Sequence, residues 1–136
     1  AFVAADWSLT APDFAPELFV GYNAKKSPNP DDWTINFPSI EPYREEWLRQ
    51  ASEFRGVEFA GESKLDFLFR AIDLNEIEIT GAEAIAHKKF HGSTQTTGGE
   101  DVSVQWQTLY FLRNIGGHWK IRGFLGYLPF PMPTQG

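Results

Sequence analysis

The chain has 136 residues, a formal net charge of −6 and no cysteine, and aromatic residues make up 15 % of it. A chain of this length supports one hydrophobic core, so we expect a single domain over residues 1–136. The acidic balance is unfavourable for contacts with phosphates and argues against a nucleic-acid partner. The absence of cysteine excludes disulfides, thiolate metal sites and cysteine nucleophiles.

No segment is typical of membrane insertion or export. The apolar runs are far shorter than the ~20 residues that a membrane-spanning helix needs. Residues 1–5 lack the basic and apolar regions of a signal peptide. We therefore expect no membrane partner and a cytoplasmic location.

The first 38 residues predict short elements separated by turns. Asp6 is typical of an N-cap, so a short helix is expected from Trp7 that ends before Pro12. The apolar residues 18–22 favour a brief strand.

The clearest helix is predicted over residues 40–54. Ser39 precedes it as an N-cap residue, and Gly56 follows as a stop signal. Its apolar residues recur at spacings of three and four and form one stripe: Ile40, Tyr43, Trp47, Ala51 and Phe54. This stripe predicts an amphipathic helix that packs against the rest of the domain.

Strand patterns dominate the second half. Residues 65–72 and 77–80 are predicted to be strands, whereas residues 82–92 are ambiguous because Ala, Glu and Lys favour helix. Residues 102–113 and 119–128 predict an antiparallel hairpin around a turn at residues 114–117.

A four-residue turn would pair Arg113 with His118 and thereby set the register of the hairpin. Four large aromatic side chains then share one apolar face: Trp106, Tyr110, Trp119 and Tyr127. Phe111 and Phe124 lie on the opposite face, which mixes apolar and charged residues. That mixed face is expected to form a homodimer.

Three segments in and before this hairpin carry recognisable motifs: Ile-Thr-Gly-Ala-Glu-Ala at 79–84, Gln-Thr-Leu-Tyr-Phe-Leu-Arg at 107–113 and Gly-Gly-His-Trp-Lys-Ile at 116–121. Together with Ala-Ala-Asp-Trp at 4–7, they resemble the nuclear-transport-factor-2-like superfamily, also called SnoaL-like. The resemblance implies an α+β fold, in which helices wrap a curved antiparallel sheet into a cone with a pocket, a cystatin-like arrangement.

The resemblance also bears on two segments of the chain. It implies that residues 82–93 form a strand despite their helical composition. Only about five residues precede Asp6, so the long first helix of the superfamily is expected to be largely missing.

In such a cone the pocket opens between helix and sheet. Five residues are expected to line it: Tyr43, Trp47, Trp106, Tyr110 and Tyr127. Tyrosine and tryptophan combine an apolar ring with a polar tip, which suits a small, moderately apolar ligand. The spacing of these aromatic residues is also typical of a hydrophobic core that binds no ligand. No motif indicates a cofactor.

Two alternatives to ligand binding stay open. The superfamily includes isomerases, dehydratases and cyclases, which implies a lyase or isomerase that uses Asp66 or Asp73 as the catalytic base, with a histidine such as His87 or a tyrosine polarising a carbonyl. Against this, Gly-Phe-Leu-Gly-Tyr at 123–127 stands where the superfamily often has His-x-His-x-Ser. The other alternative is a homodimeric assembly module with a vestigial pocket.

A metal site is not expected. His87 and His91 are four residues apart, a spacing that places two ligands together only on a helix. On a strand the same spacing separates them by ~13 Å, too far to share one ion.

Overall fold

The computed structural model describes residues 2–132, apart from the side chain of Asn75. In chain order, its elements are three 3₁₀ turns (Trp7–Leu9, Ala11–Asp13 and Pro30–Asp32), the helices α1 (Ile40–Arg55) and α2 (Lys64–Ala71), and the strands β1 (Val20–Asn23), β2 (Thr34–Phe37), β3 (Ile72–Thr80), β4 (Glu83–Gln95), β5 (Asp101–Ile115) and β6 (His118–Leu128).

The six strands form one sheet in the order β2-β1-β6-β5-β4-β3. The pairs are antiparallel except β1 and β6, which run parallel. The sheet is curved, and register shifts in three of its pairs add local bends. The expected α+β fold with a cone-like sheet is therefore confirmed, although the sheet is mixed rather than purely antiparallel.

Helix α1 matches its prediction closely. It begins after Ser39, whose backbone is extended, and ends at Gly56. Its apolar stripe faces the sheet: Ala51 is fully buried, and Tyr43 packs against a core cluster that contains Phe124.

The predicted strand at residues 65–72 is wrong, because this segment forms helix α2. The Ser63 side chain accepts a hydrogen bond from the Asp66 backbone N–H at 3.1 Å and so caps the helix. Phe67 and Ala71, one helical turn apart, are both buried. A Ser-x-x-Asp start is a helix signal, but the large apolar residues of this run also suit a strand.

Two shorter predictions are confirmed. Asp6 accepts a hydrogen bond from the Ser8 backbone and caps the turn Trp7–Leu9, and β4 covers nearly all of residues 82–93 despite their helical composition. Strand β2 was not predicted; its four residues pair only with the equally short β1.

The hairpin turn is tighter than the four-residue loop that the sequence suggested. Gly116 and Gly117 alone form it, with φ angles of +61° and +87°, and Ile115 pairs with His118. The commonest two-residue hairpin loops need a positive φ at both positions, which glycine adopts without steric cost. The predicted partner of Arg113 is therefore wrong by two residues, since it pairs with Lys120.

A β-bulge then changes which side chains of β6 face the helices. Leu112 pairs with Ile121. Its neighbour Phe111 pairs with Gly123, which leaves Arg122 without a partner across the strand pair. One unpaired residue shifts the alternation of faces by one position.

The bulge and the tighter turn correct two placements. Phe124 is 7 % exposed and lies in the core with Phe14 and Phe19, whereas Phe111 packs on the outer face. Trp119, predicted to be interior, is 38 % exposed near the hairpin turn. The predicted dimer face therefore loses Phe124; that the chain forms a homodimer stays a prediction.

The N-terminal part contains turns at residues 2–5, and no α-helix precedes Asp6 among the residues described. Between Phe2 and Met132, neither helix is long and apolar enough to cross a membrane. The cytoplasmic location stays a prediction.

Candidate functional site: an aromatic cavity

A cavity of about 1280 Å³ lies between the helices and the inner face of the sheet. Its walls come from α1, α2, the strands β4, β5 and β6, and the segment around β1 and β2. All five residues that were expected to line a pocket do line this cavity: Tyr43, Trp47, Trp106, Tyr110 and Tyr127. That they bind a ligand stays a prediction.

Stacked aromatic rings form one wall of the cavity. Trp106 stacks on Phe90 with 4.9 Å between ring centroids, because the two residues pair across β4 and β5. Trp106 also contacts Tyr127, with 5.3 Å between centroids. Tyr127 reaches this position through a left-handed backbone, with a φ of +58°, beside a second register shift in the hairpin.

Three tyrosines of the cavity lie close enough to influence one another. Burial, reinforced by the nearby Tyr127, raises the pKa of Tyr110 to about 12. Burial also raises the pKa of Tyr43 far above its ordinary value, with smaller contributions from Tyr110 and Tyr127. Tyr43 and Tyr110 therefore stay protonated at neutral pH and can each donate a hydrogen bond.

Lys88 is the cavity residue that the sequence interpretation missed. It lines the cavity beside Phe90, and its Nζ atom lies 5.1 Å from the Phe90 ring centroid and 5.6 Å from that of Tyr110. Burial lowers the pKa of the Lys88 ammonium. A strand over residues 82–93 places Lys88 and Phe90 on the same face, because side chains alternate along a strand. The sequence pattern therefore indicates that Lys88 lies beside the aromatic residues.

Lys88 has no charge partner in the structure. Between residues 2 and 132, no carboxylate lies within ion-pair distance of its Nζ atom. No fully enclosed side-chain nitrogen or oxygen of the described residues lacks a hydrogen-bond partner. Lys88 keeps part of its surface accessible, and the space that it lines is the cavity.

The charged residues around the cavity are mostly basic. Lys25, Lys26, Arg49 and Lys88 line it, together with one carboxylate of the described chain, Glu46. Arg49 Nε donates to Glu46 Oε2 at 2.8 Å, and this contact lowers the pKa of Glu46. The carboxylate is thus already neutralised by its neighbour on α1.

The three catalytic candidates lie outside the cavity lining. Asp66 is exposed in the first turn of α2, and Asp73 is exposed on β3. Arg70, one turn after Asp66 on α2, pairs with Glu62. His87 lies on the outer face of β4, with its Nδ1 atom 3.6 Å from Glu76.

The structure also shows where the other histidines lie. His91 is exposed on the outer face of β4, where it contacts Phe130, and His118 is exposed beside the hairpin turn. Over the described range, no group of three or more His, Cys, Asp or Glu residues could hold a metal ion.

No protein-family model and no curated protein sequence is significantly similar to the chain. Solved structures, by contrast, share its fold. A nuclear-transport-factor-2-like (NTF2-like) superfamily protein from Salmonella enterica serovar Typhimurium has a TM-score of 0.59 at 13 % identity, covering 99 % of this chain and 83 % of that one.

Two further structures agree. A conserved protein from Planctomyces limnophilus has a TM-score of 0.55 at 12 % identity, covering 93 % of this chain and 83 % of that one. A ketosteroid isomerase-like protein from Erwinia carotovora atroseptica has a TM-score of 0.54 at 17 % identity, covering 92 % of this chain and 82 % of that one. At these identities the likeness concerns the fold, and the chain has the NTF2-like fold that its sequence motifs resemble.

Proposed function

We propose that this domain binds a small, moderately apolar molecule in its aromatic cavity. The observation that carries the proposal is the cavity itself, about 1280 Å³ of space beside stacked aromatic rings. Ligand pockets commonly have volumes of roughly 300–1,000 Å³ and apolar walls with a few polar groups. The space is therefore sufficient for a molecule of two or three rings.

The burial of the lining residues distinguishes this arrangement from a plain core. Core side chains pack against one another until little accessible surface is left. Five lining aromatic residues instead keep accessible surface and are only half-buried: Tyr43, Trp47, Trp106, Tyr110 and Tyr127. Since all five line the cavity, a bound apolar molecule would cover this surface and gain its burial free energy.

The positions of the acidic residues favour binding over catalysis by an aspartate base. Asp66 and Asp73 are exposed and do not line the cavity. Glu46 does line it but is engaged by Arg49. A general base must reach the proton that it abstracts, so neither aspartate is proposed as one.

The binding proposal is tested with N-phenyl-1-naphthylamine, a neutral aromatic probe whose emission increases in apolar surroundings. Val104 lines the cavity, and its neighbour Ser103 is exposed on the opposite face of β5. We expect Val104→Trp to fill the cavity and weaken probe binding by about tenfold or more, whereas Ser103→Trp changes it less than about twofold.

Near-ultraviolet circular dichroism of both variants serves as the control for folding. The proposal is overturned if the folded wild-type protein does not bind the probe, or if Val104→Trp and Ser103→Trp bind it equally well.

A further inference from the structure

We propose that the cavity selects amphipathic monoanions, in which an apolar ring system carries a carboxylate head group that pairs with Lys88. This inference rests on the proposed function, because it assigns the chemical class of the ligand to the same cavity. Three separate features of the structure support it.

The first feature is the unpaired charge of Lys88. Lys88 is partly buried and lines the cavity, and its ammonium contacts two aromatic rings instead of a carboxylate. A buried cation without a partner is unfavourable, and a charge-assisted hydrogen bond from a ligand carboxylate would offset that cost. The site is thus complete only with an anion.

The second feature is the chemistry of the neighbouring polar groups. Tyr43, Tyr110 and Tyr127 line the cavity near one another, and phenol hydroxyls donate hydrogen bonds. Among the described residues that line the cavity, Glu46 is the one negatively charged acceptor. Arg49 and Gln50 both donate hydrogen bonds to it. A set of donors suits a ligand group that only accepts, as a carboxylate does.

The third feature is the sign of the charge around the cavity. The whole chain has a formal charge of −6, yet four basic residues and one acidic residue are found in the lining. Arg49 is paired with Glu46 and Glu53. The three lysines of the lining therefore supply the local positive field, which attracts anions in spite of the net charge. Lys25 and Lys26 contribute to it from a strained turn, since both have a positive φ, and the Lys26 N–H is held by the Tyr127 carbonyl at 2.7 Å.

The test compares two molecules of the same shape that differ in charge, 1-naphthaleneacetate and 1-naphthaleneacetamide. Each is titrated against the protein with bound N-phenyl-1-naphthylamine, and displacement of the probe gives its affinity. We expect the carboxylate to bind about tenfold or more tightly than the amide at neutral pH. This preference should decline with added salt, because the basic residues near the surface are screened.

Two neighbouring lysines supply matched variants. Lys88→Met should reduce the preference for the carboxylate by about tenfold, because it removes the partner of the head group and leaves the aromatic walls of the cavity in place. Lys89→Met removes a charge from the opposite face, where Lys89 pairs with Glu76, and should leave the preference unchanged.

The two proposals fail in different ways. If N-phenyl-1-naphthylamine binds but the carboxylate and amide compete equally well, the anion proposal is wrong and the binding proposal stands. A preference of wild-type size in Lys88→Met also overturns the role of Lys88. If the probe itself does not bind, the proposed function is wrong.

Discussion

Lys88 and Lys89 are consecutive in β4, and their side chains lie on opposite faces of the sheet. Lys89 donates from Nζ to Glu76 Oε1 at 2.7 Å on the outer face. Lys88 lines the cavity, where burial lowers its pKa. Two identical side chains therefore differ in what they contribute. Lys89 makes a surface ion pair, whereas the charge of Lys88 lowers the stability of the folded state.

Lys88→Met is expected to stabilise the protein. The substitution replaces a buried ammonium by an apolar side chain of similar length, and we expect a gain of about 1 kcal/mol in the free energy of unfolding at neutral pH. Urea denaturation measures this quantity, with Lys89→Met as the control that shows no gain. A loss of stability in Lys88→Met would mean that the contacts with Phe90 and Tyr110 outweigh the cost of burying the charge.

The stability difference between Lys88→Met and wild type should depend on pH. Because the folded-state pKa of Lys88 is lowered, the cost of its charge is present below that pKa. The cost disappears as the pH rises toward the unfolded value of about 10.4. Urea denaturation at several pH values should therefore show the two proteins converging as the pH increases, and a constant difference would contradict this origin.

Tyr110 should make the protein less stable in alkali. Burial and the neighbouring Tyr127 raise its pKa to about 12, so the unfolded chain loses this proton first, near pH 10. Stability is then lost as the pH rises from about 10 to 12. We expect Tyr110→Phe to reduce this loss, as measured by urea denaturation across the range. An ultraviolet titration in which Tyr110→Phe removes a tyrosinate signal near pH 10 would contradict the prediction.

Gly123 is predicted to tolerate no side chain. A Cβ atom at this position would collide with the backbone carbonyl of Val20 in the adjoining strand, where β1 and β6 pair in parallel. We expect Gly123→Ala to destabilise the protein by about 2 kcal/mol. Gly98→Ala is the control, because its Cβ would meet only the Thr96 Oγ1 atom at 3.7 Å. Equal unfolding midpoints for the two variants would disprove the close approach.

Phe67 and Phe69 provide a test of helix α2. Phe67 is 1 % exposed and Phe69 is 74 % exposed, although both belong to the same apolar run. We expect Phe67→Ala to lower the free energy of unfolding by about 3 kcal/mol and Phe69→Ala to leave it almost unchanged. Urea denaturation of both variants measures this difference. On a strand the two residues would share a face, and their substitutions would then have similar effects.

Much of the fold follows from local patterns. The apolar stripe of α1 and the alternation along β5 each depend on residues only two to four positions apart, so the buried side is readable without a structure. These patterns place Tyr43 and Trp47 on the buried side of one element, and Trp106 and Tyr110 on one face of another. The resemblance to a cone-shaped fold then implied that the two sets line one pocket.

The errors arose where local patterns allow two structures. The run that contains Phe67 suits either a strand or a helix, and packing of Phe67 against Phe59 together with the Ser63 cap favours the helix. In β6, the two-glycine turn shifts the strand partners by two residues, which keeps the faces, and the unpaired Arg122 shifts them by one more. The interior place of Phe124 depends on this second shift.

The sequence by itself determined the long helix, the inward face of β5 and the absence of disulfides, because composition and short-range periodicity carry that information. Its motifs implied the α+β class through their resemblance to a known superfamily. Only the tertiary structure decided which side of β6 is buried and that Lys88 lies in the cavity without a carboxylate partner. Bulges, close backbone contacts and the charges around a cavity arise between segments that are distant in sequence, and no local spacing specifies them.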